Sequence, residues 1–370
     1  MNLFNFKING NLNYNDLNLN TKFLEDIKLI SDIQDNINLT YLFDLTKDSF
    51  IDYYLDNTFI TFKSINNNII YLIYLNKYNS IISYNLNDNK KINEIKSAHN
   101  YKIKNIRHHL DEINNRDLII SISYRDNNIK LWDIDYFECF LNIKNVNLSG
   151  AICSACFLYD NNQNFIISSN HCTFAKDNLI EPIKVFDFKG NKIKEINDSR
   201  ENTNFIDNYY DKKTNKNYII TCNQGCIKSY DYTENKLYQY YSDIDNDTKI
   251  HYSLIINNKN DEINIIESSK DENIRIWNFH SGQLLNKIKI NNINIYGICL
   301  WNNDYLFVGC EDMTIKIIDI NNGIVVKNID GHNYGITSIK KIIHPKYGEC
   351  LLSQGYLFDQ IKLWKINFKK

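Results

Sequence analysis

The sequence predicts an all-β, closed seven-bladed propeller of four-stranded antiparallel blades. Two observations carry that expectation: a recurring nine-residue cassette and a near-constant spacing between its copies. The cassette is clearest in Asp126-Asn127-Asn128-Ile129-Lys130-Leu131-Trp132-Asp133-Ile134 and Asp271-Glu272-Asn273-Ile274-Arg275-Ile276-Trp277-Asn278-Phe279. Further copies centre on Ile81-Ile82-Ser83-Tyr84, Ile183-Lys184-Val185-Phe186, Ile227-Lys228-Ser229-Tyr230, Ile315-Lys316-Ile317-Ile318 and Ile361-Lys362-Leu363-Trp364. The leading isoleucines are separated by 48, 54, 44, 47, 41 and 46 residues, the period of four-stranded blades. Such units occupy most of the 370 residues as one array, because each repeat buries its faces only against its neighbours.

Each unit reads as four short strands. In one of them the apolar run Leu118 to Ile122 is followed by a polar turn and by Ile129 and Leu131 alternating about Lys130, a hairpin pattern. Phe140 to Ile143 supplies a strand after it and Tyr101 to His108 one before it. A lone four-stranded sheet exposes both faces, so the sheets must stack around an axis, and closure removes their edges. The cassette's large side chain is the wedge between sheets: Tyr84, Trp132, Phe186, Tyr230, Trp277 and Trp364, with Ile318 as the exception. Asparagine is roughly one residue in six, and it tolerates left-handed backbone, so Asn127-Asn128 and Asn321-Asn322 are read as turns. Only six residues follow Trp364, too few for an outer strand. The propeller is therefore assigned to residues 46–370 and the closing strand to residues 1–45. Its candidates are Leu3 to Ile8, Phe23 to Ile30 and Tyr41 to Leu45; Phe23, Leu24, Ile27 and Ile30 also fit a short amphipathic helix.

A net charge of -2 offers no basic field to displace phosphate counterions, so nucleic acid is not the expected partner. Met1 to Gly10 shows no secretory signal. The longest apolar stretch, Ile69 to Leu75, is too short to cross a bilayer. The expected location is intracellular, cytoplasmic with the nucleus left open. Nine scattered cysteines read as free thiols. Cys153 and Cys156 stand three apart in an apolar strand, which points them to opposite faces, so no metal site is expected.

The chain resembles the WD-repeat (WD40) β-propeller family. Beside the cassette, Gly331-His332 stands 32 residues before Trp364 and is followed by Ile336-Thr337-Ser338-Ile339, similar to the family's opening Gly-His and first strand; Ala98-His99 stands 33 residues before Trp132. The resemblance covers about Phe59 to Phe368, and Trp-Asp itself occurs only at Trp132-Asp133. It implies a buried hydrogen-bonded tetrad of His99, Ser123, Asp126 and Trp132 in one blade and of His332, Ser353, Asp359 and Trp364 in another. Asp271 and Asp312 match the turn position without an evident His. A Ser-His-Asp set also resembles a hydrolase triad, but no Gly-x-Ser-x-Gly elbow is present, so the structural reading is preferred.

No Walker loop, zinc-protease helix motif or supported carboxylate pair is present, so no enzyme activity, cofactor or small-molecule ligand is expected. The expected function is a scaffold that presents a propeller rim to other proteins or peptides. The resemblance places that rim on Tyr101 and Tyr334, two positions after each His, and on Arg125, Lys270, Glu311 and Phe358, each just before a turn Asp. The long connection Ser168 to Pro182, with His171, Phe174 and Lys176, is expected to extend it, since long loops in compact domains carry function. Two rival readings are a substrate-recognition subunit of a ubiquitin ligase and a phosphoinositide-binding propeller. The first needs an arginine two residues after Trp-Asp, where Asp135 stands; the second needs paired arginines, whereas Arg107 is followed by His108 and His109.

Overall fold

The computed structural model describes residues 37–46, 49, 58–123, 125–144, 146, 151–171, 181–197, 199–200, 202–223, 225–243, 251–259, 262–290, 293–357 and 359–368. Among these, all regular structure is β-strand, arranged as seven four-stranded antiparallel sheets. Blades 1 to 6 each use four consecutive strands and open on Phe59–Lys63, Ile103–Asp111, Ala151–Asp160, Thr203–Asp211, His251–Lys259 and Ile295–Leu300. Blade 7 opens on Ile336–His344, continues with Gly348–Gly355 and Ile361–Phe368, and takes its fourth strand from Ile37–Asp44. That strand runs antiparallel to Ile361–Phe368, from Ile37 opposite Phe368 to Asp44 opposite Lys362. It contains most of the third sequence candidate and begins earlier, because Ile37 and Leu39 are already buried while Asn38 and Thr40 face out. The other two candidates lie outside the described residues.

Each interface between blades holds its own apolar cluster. Ile37, Leu39, Trp364 and Ile366 of blade 7 pack with Phe307, Ile315 and Ile317 of blade 6. Leu352 and Leu363 of blade 7 pack with Phe59, Leu72 and Ile82 of blade 1, which closes the ring. The cassette side chains sit in these clusters, each against the preceding blade: Trp132 with blade 1, Phe186 with blade 2, Tyr230 with blade 3, Trp277 with blade 4, Ile318 with blade 5 and Trp364 with blade 6. Tyr84, only partly buried, packs toward blade 7. In every blade the register between third and fourth strands shifts at this side chain, as between Leu131 and Trp132 or Ile276 and Trp277. The extra residue on the outer strand adds local twist, and it recurs where the wedge must seat.

Tight turns use asparagine. Nine of the fourteen described non-glycine residues with positive φ are Asn, Asn127 among them. At Asn321-Asn322 the outcome differs. The left-handed residue there is Gly323, while the Asn321 and Asn322 amides donate to Asp319 Oδ1 at 2.9 and 3.1 Å. No described helix is long and apolar enough to cross a membrane.

Candidate interaction rim

Strands within a blade alternate in direction. The connection entering each innermost strand and the turn between second and third strands therefore share one end of the propeller. In blade 7 a hydrogen-bonded chain ties these two loops together. Trp364 Nε1 donates to Ser353 Oγ at 2.7 Å, His332 Nε2 lies 2.6 Å from the same oxygen, and His332 Nδ1 lies 2.7 Å from Asp359 Oδ2. An ionised carboxylate only accepts, and Ser353 Oγ can take the indole N–H and still donate its own proton to Nε2 of the neutral ring. Nδ1 must then carry the imidazole proton and donate it to the carboxylate. The Asn333 amide adds a bond to Asp359 Oδ2 at 3.2 Å. Gly331, at φ +147°, lies on the tryptophan ring; a Cβ there would come within 2.5 Å of Cη2.

Blade 2 repeats the arrangement with a correction. His99 contacts Asp126 Oδ2 at 2.9 Å, but its other nitrogen meets Ser121 Oγ at 2.8 Å, and Trp132 Nε1 donates to Ser121 at 2.7 Å. Ser121, not Ser123, is the fourth member. The two serines share a strand face, but two residues along a strand displace a side chain by about 7 Å, and Ser123 pairs instead across to Ile103. The spacing holds the signal: Ser121 and Ser353 each precede their tryptophan by the same eleven residues.

Burial, with Lys130 nearby, pulls His99 down to about 4 in spite of Asp126. Burial lowers His332 in the same direction. Unfolded imidazole titrates near pH 6.5, so as pH falls from there toward 4 the unfolded chain binds the proton first and the fold loses stability. For His99 the loss is on the order of 3 kcal/mol, all of it absent above pH 6.5. Thermal melting from pH 7 to 4.5 is expected to fall more steeply for the wild type than for His99→Gln. Parallel profiles would contradict the assignment.

Blades 5 and 6 lack the histidine, and the cassette's basic residue replaces it. Arg275, fully buried, pairs with Asp271 through both carboxylate oxygens, with Asp243 Oδ2 at 3.2 Å and with Glu267 Oε1 at 3.5 Å. Burial pushes the Asp271 carboxyl up, but hydrogen bonds from Arg275 and Ser269 outweigh it and hold it well below the usual carboxylate range. In blade 6, Lys316 Nζ reaches Asp312 Oδ2 at 3.1 Å. Trp277 Nε1 finds no acceptor among the described residues, because the position eleven residues earlier is Ile266.

These ties set the surface at that end. The Ala98 amide donates to Asn79 O at 2.9 Å and the Asn100 amide to Asp126 Oδ2 at 2.9 Å. Tyr78, Tyr101 and Arg125, all exposed, are thereby joined across blades 1 and 2. Tyr78 was not among the sequence candidates, since a Lys-Tyr-Asn turn carries no marker. Between blades 6 and 7, Tyr334 stands 5.6 Å from Tyr356, and Glu311 and Met313 are exposed on the adjoining turn. Lys270 is exposed on the corresponding turn of blade 5. His171 is the last residue of the strand Gln163–His171; Phe174, Lys176 and Phe358 lie outside the described residues.

No family model matches the chain. A stretch of 74 residues is 26% identical to the U3 small nucleolar RNA-associated protein 21 homolog of Schizosaccharomyces pombe. The match covers 20% of this chain and 8% of that protein.

Chemically, the two Ser-His-Asp sets have no access to substrate. Ser121 and Ser353 are completely buried and their oxygens are shared between His and Trp. A nucleophile needs a free approach to a carbonyl and donors for the oxyanion. What the arrangement does is hold two loops per blade in fixed relation at one rim.

Proposed function

We propose that this propeller is of the WD-repeat type and works as a non-enzymatic scaffold, gripping partner proteins or peptides at the rim that the tetrads brace. The observation that carries the reading is the coupling of His99 to Asp126 and of His332 to Asp359. Each pair fixes an aromatic residue, Tyr101 or Tyr334, beside the turn that precedes the cassette. Rigid aromatic and arginine side chains make effective anchors because they lose little freedom on binding. The seven sheets, with Ile37–Asp44 as the outer strand of the seventh, form the scaffold, and the proposed rim is extended to Phe174, Lys176 and Phe358 on their sequence positions alone. The Schizosaccharomyces pombe relative is named for its association with U3 small nucleolar RNA, which directs attention to ribonucleoprotein assemblies. With a net charge of -2, this chain is suited to the proteins of such an assembly rather than to its RNA.

Quantitative affinity purification with the wild type, Arg125→Glu, Tyr334→Ala and Tyr136→Ala tests the proposal. Tyr136 is 76% exposed on the opposite rim. Partners are expected to fall at least tenfold with the first two variants and to persist with the third, corresponding to about 1.4 kcal/mol or more per anchor. The same partners at the same yield from all four proteins would refute the assignment of the rim.

A further inference from the structure

The innermost strands of the seven blades surround a central channel that contains a cavity of about 490 Å³. In blades 2 to 7 each of these strands carries a register shift near its start, at Asn105, Ser154, Phe205, Ser253, Gly297 and Ser338. Two residues beyond each shift the strands stand at a common level. That level carries Arg107, Cys156, Asp207, Ile255, Cys299 and Lys340. Three ionisable groups of opposite sign thus meet at the waist of the channel, from blades 2, 4 and 7.

Arg107 is committed. Its Nη1 lies 3.1 Å from Asp207 Oδ1, its Nη2 donates to Ile206 O at 2.6 Å, and its plane covers Phe205 at 4.6 Å. Lys340 differs: among the described residues its ammonium has no hydrogen-bond acceptor or ion-pair partner. Protein surrounds it densely although part of its surface still reaches the channel space, as a side chain lining a bore must. Burial pulls it down to about 8, assisted by the like charge of Arg107 and opposed by Cys299 and Asp207. An enclosed ammonium without a counter-charge is costly, and a bound anion would offset that cost.

We propose that the channel waist binds a small organic monocarboxylate, its carboxylate on Lys340 and its body along the apolar wall. Two cations and one carboxylate leave one positive charge, so a single negative charge neutralises the waist, whereas a phosphate dianion would leave an excess in apolar surroundings. Lys341 and His108, at the cavity boundary, are held by Glu349 and Asp117. The remaining wall sets Ile60, Ile255, Ile298, Leu300 and Ile339 beside the hydroxyls of Thr61, Thr337 and Ser338, which accommodates a largely apolar body, and the volume lies in the range of ligand pockets. Lys340 is the fifth residue of the nine in Ile336–His344, about 13 Å from either rim, beyond the reach of an acidic side chain on a partner resting there. The proposal departs from the expectation that the chain takes no small ligand, and it is independent of the rim.

Calorimetric titration of the full chain with 3-phenylpropionate, acetate and inorganic phosphate tests it. At pH 7 one 3-phenylpropionate is expected per chain, at least tenfold tighter than acetate or phosphate. Lys340→Met is expected to weaken it at least tenfold while the melting midpoint holds or rises. In the wild type, titration at pH 8.5 in buffers of different ionisation heat is expected to show proton uptake, because the carboxylate favours the ammonium. Absence of binding, a preference for phosphate, undiminished binding by a folded Lys340→Met, or no proton uptake would each overturn the proposal.

Discussion

Replacing Trp132 or Trp277 with alanine is expected to lower the unfolding free energy by about 3 to 5 kcal/mol, read as a large drop in the denaturant midpoint. Both rings are buried wedges, Trp132 against blade 1 and Trp277 against blade 4. A neighbouring blade cannot close over the lost volume without moving its sheet, so the cavity remains. Phenylalanine at the two positions separates packing from hydrogen bonding. Trp132→Phe also removes the indole N–H that Ser121 Oγ accepts, leaving that hydroxyl bonded to His99 alone and costing about 0.5 to 1.5 kcal/mol more, whereas Trp277 has no described acceptor to lose. Trp277→Phe should therefore be the milder change. Equal losses from the two phenylalanine variants would contradict the bonding described for blade 2.

The second large effect is expected at Arg275. Alanine there removes the guanidinium that faces Asp271, Glu267 and Asp243, of which the first two are buried. Removing one member of a buried ionic cluster typically costs about 3 to 5 kcal/mol, because the remaining charges are left in low dielectric. Asp271→Asn in the Arg275→Ala background is expected to recover part of the loss, giving a clear coupling energy in a double-mutant cycle. A loss below about 1 kcal/mol, in the range of exposed ion pairs, would show that the cluster is solvated.

Much of this was legible in the sequence because a blade is a local object. Its four strands are consecutive, so its period and its wedge recur at nearly fixed spacing, and the turn asparagines fall between them. Chemistry set by position along one strand was readable only to within a step: Ser123 and Ser121 share a face, and alternation alone does not choose between them. The replacement of His by Arg275 and Lys316 was hidden for another reason. The same cassette position holds Lys130, whose ammonium instead donates to Ala98 O at 2.7 Å, so residue type does not announce an inward turn. The waist of the channel was beyond reading. Arg107, Asp207 and Lys340 belong to three separate repeats, and the register shift before each breaks the two-residue alternation that would have aligned them.

Blade 7 draws its outermost strand from the opposite end of the chain, and this sets an order on assembly. During synthesis six sheets can form one after another, but the residues that lock the circle, through Phe368 opposite Ile37, are made after all six. Until then the strand Ile37–Asp44 has no legitimate mate, and its unpaired edge is open to intruders from other nascent polypeptides. A gene permuted to begin at Asn202, between blades 3 and 4, would make every sheet from contiguous sequence, and its product should depend less on holding chaperones while it is made.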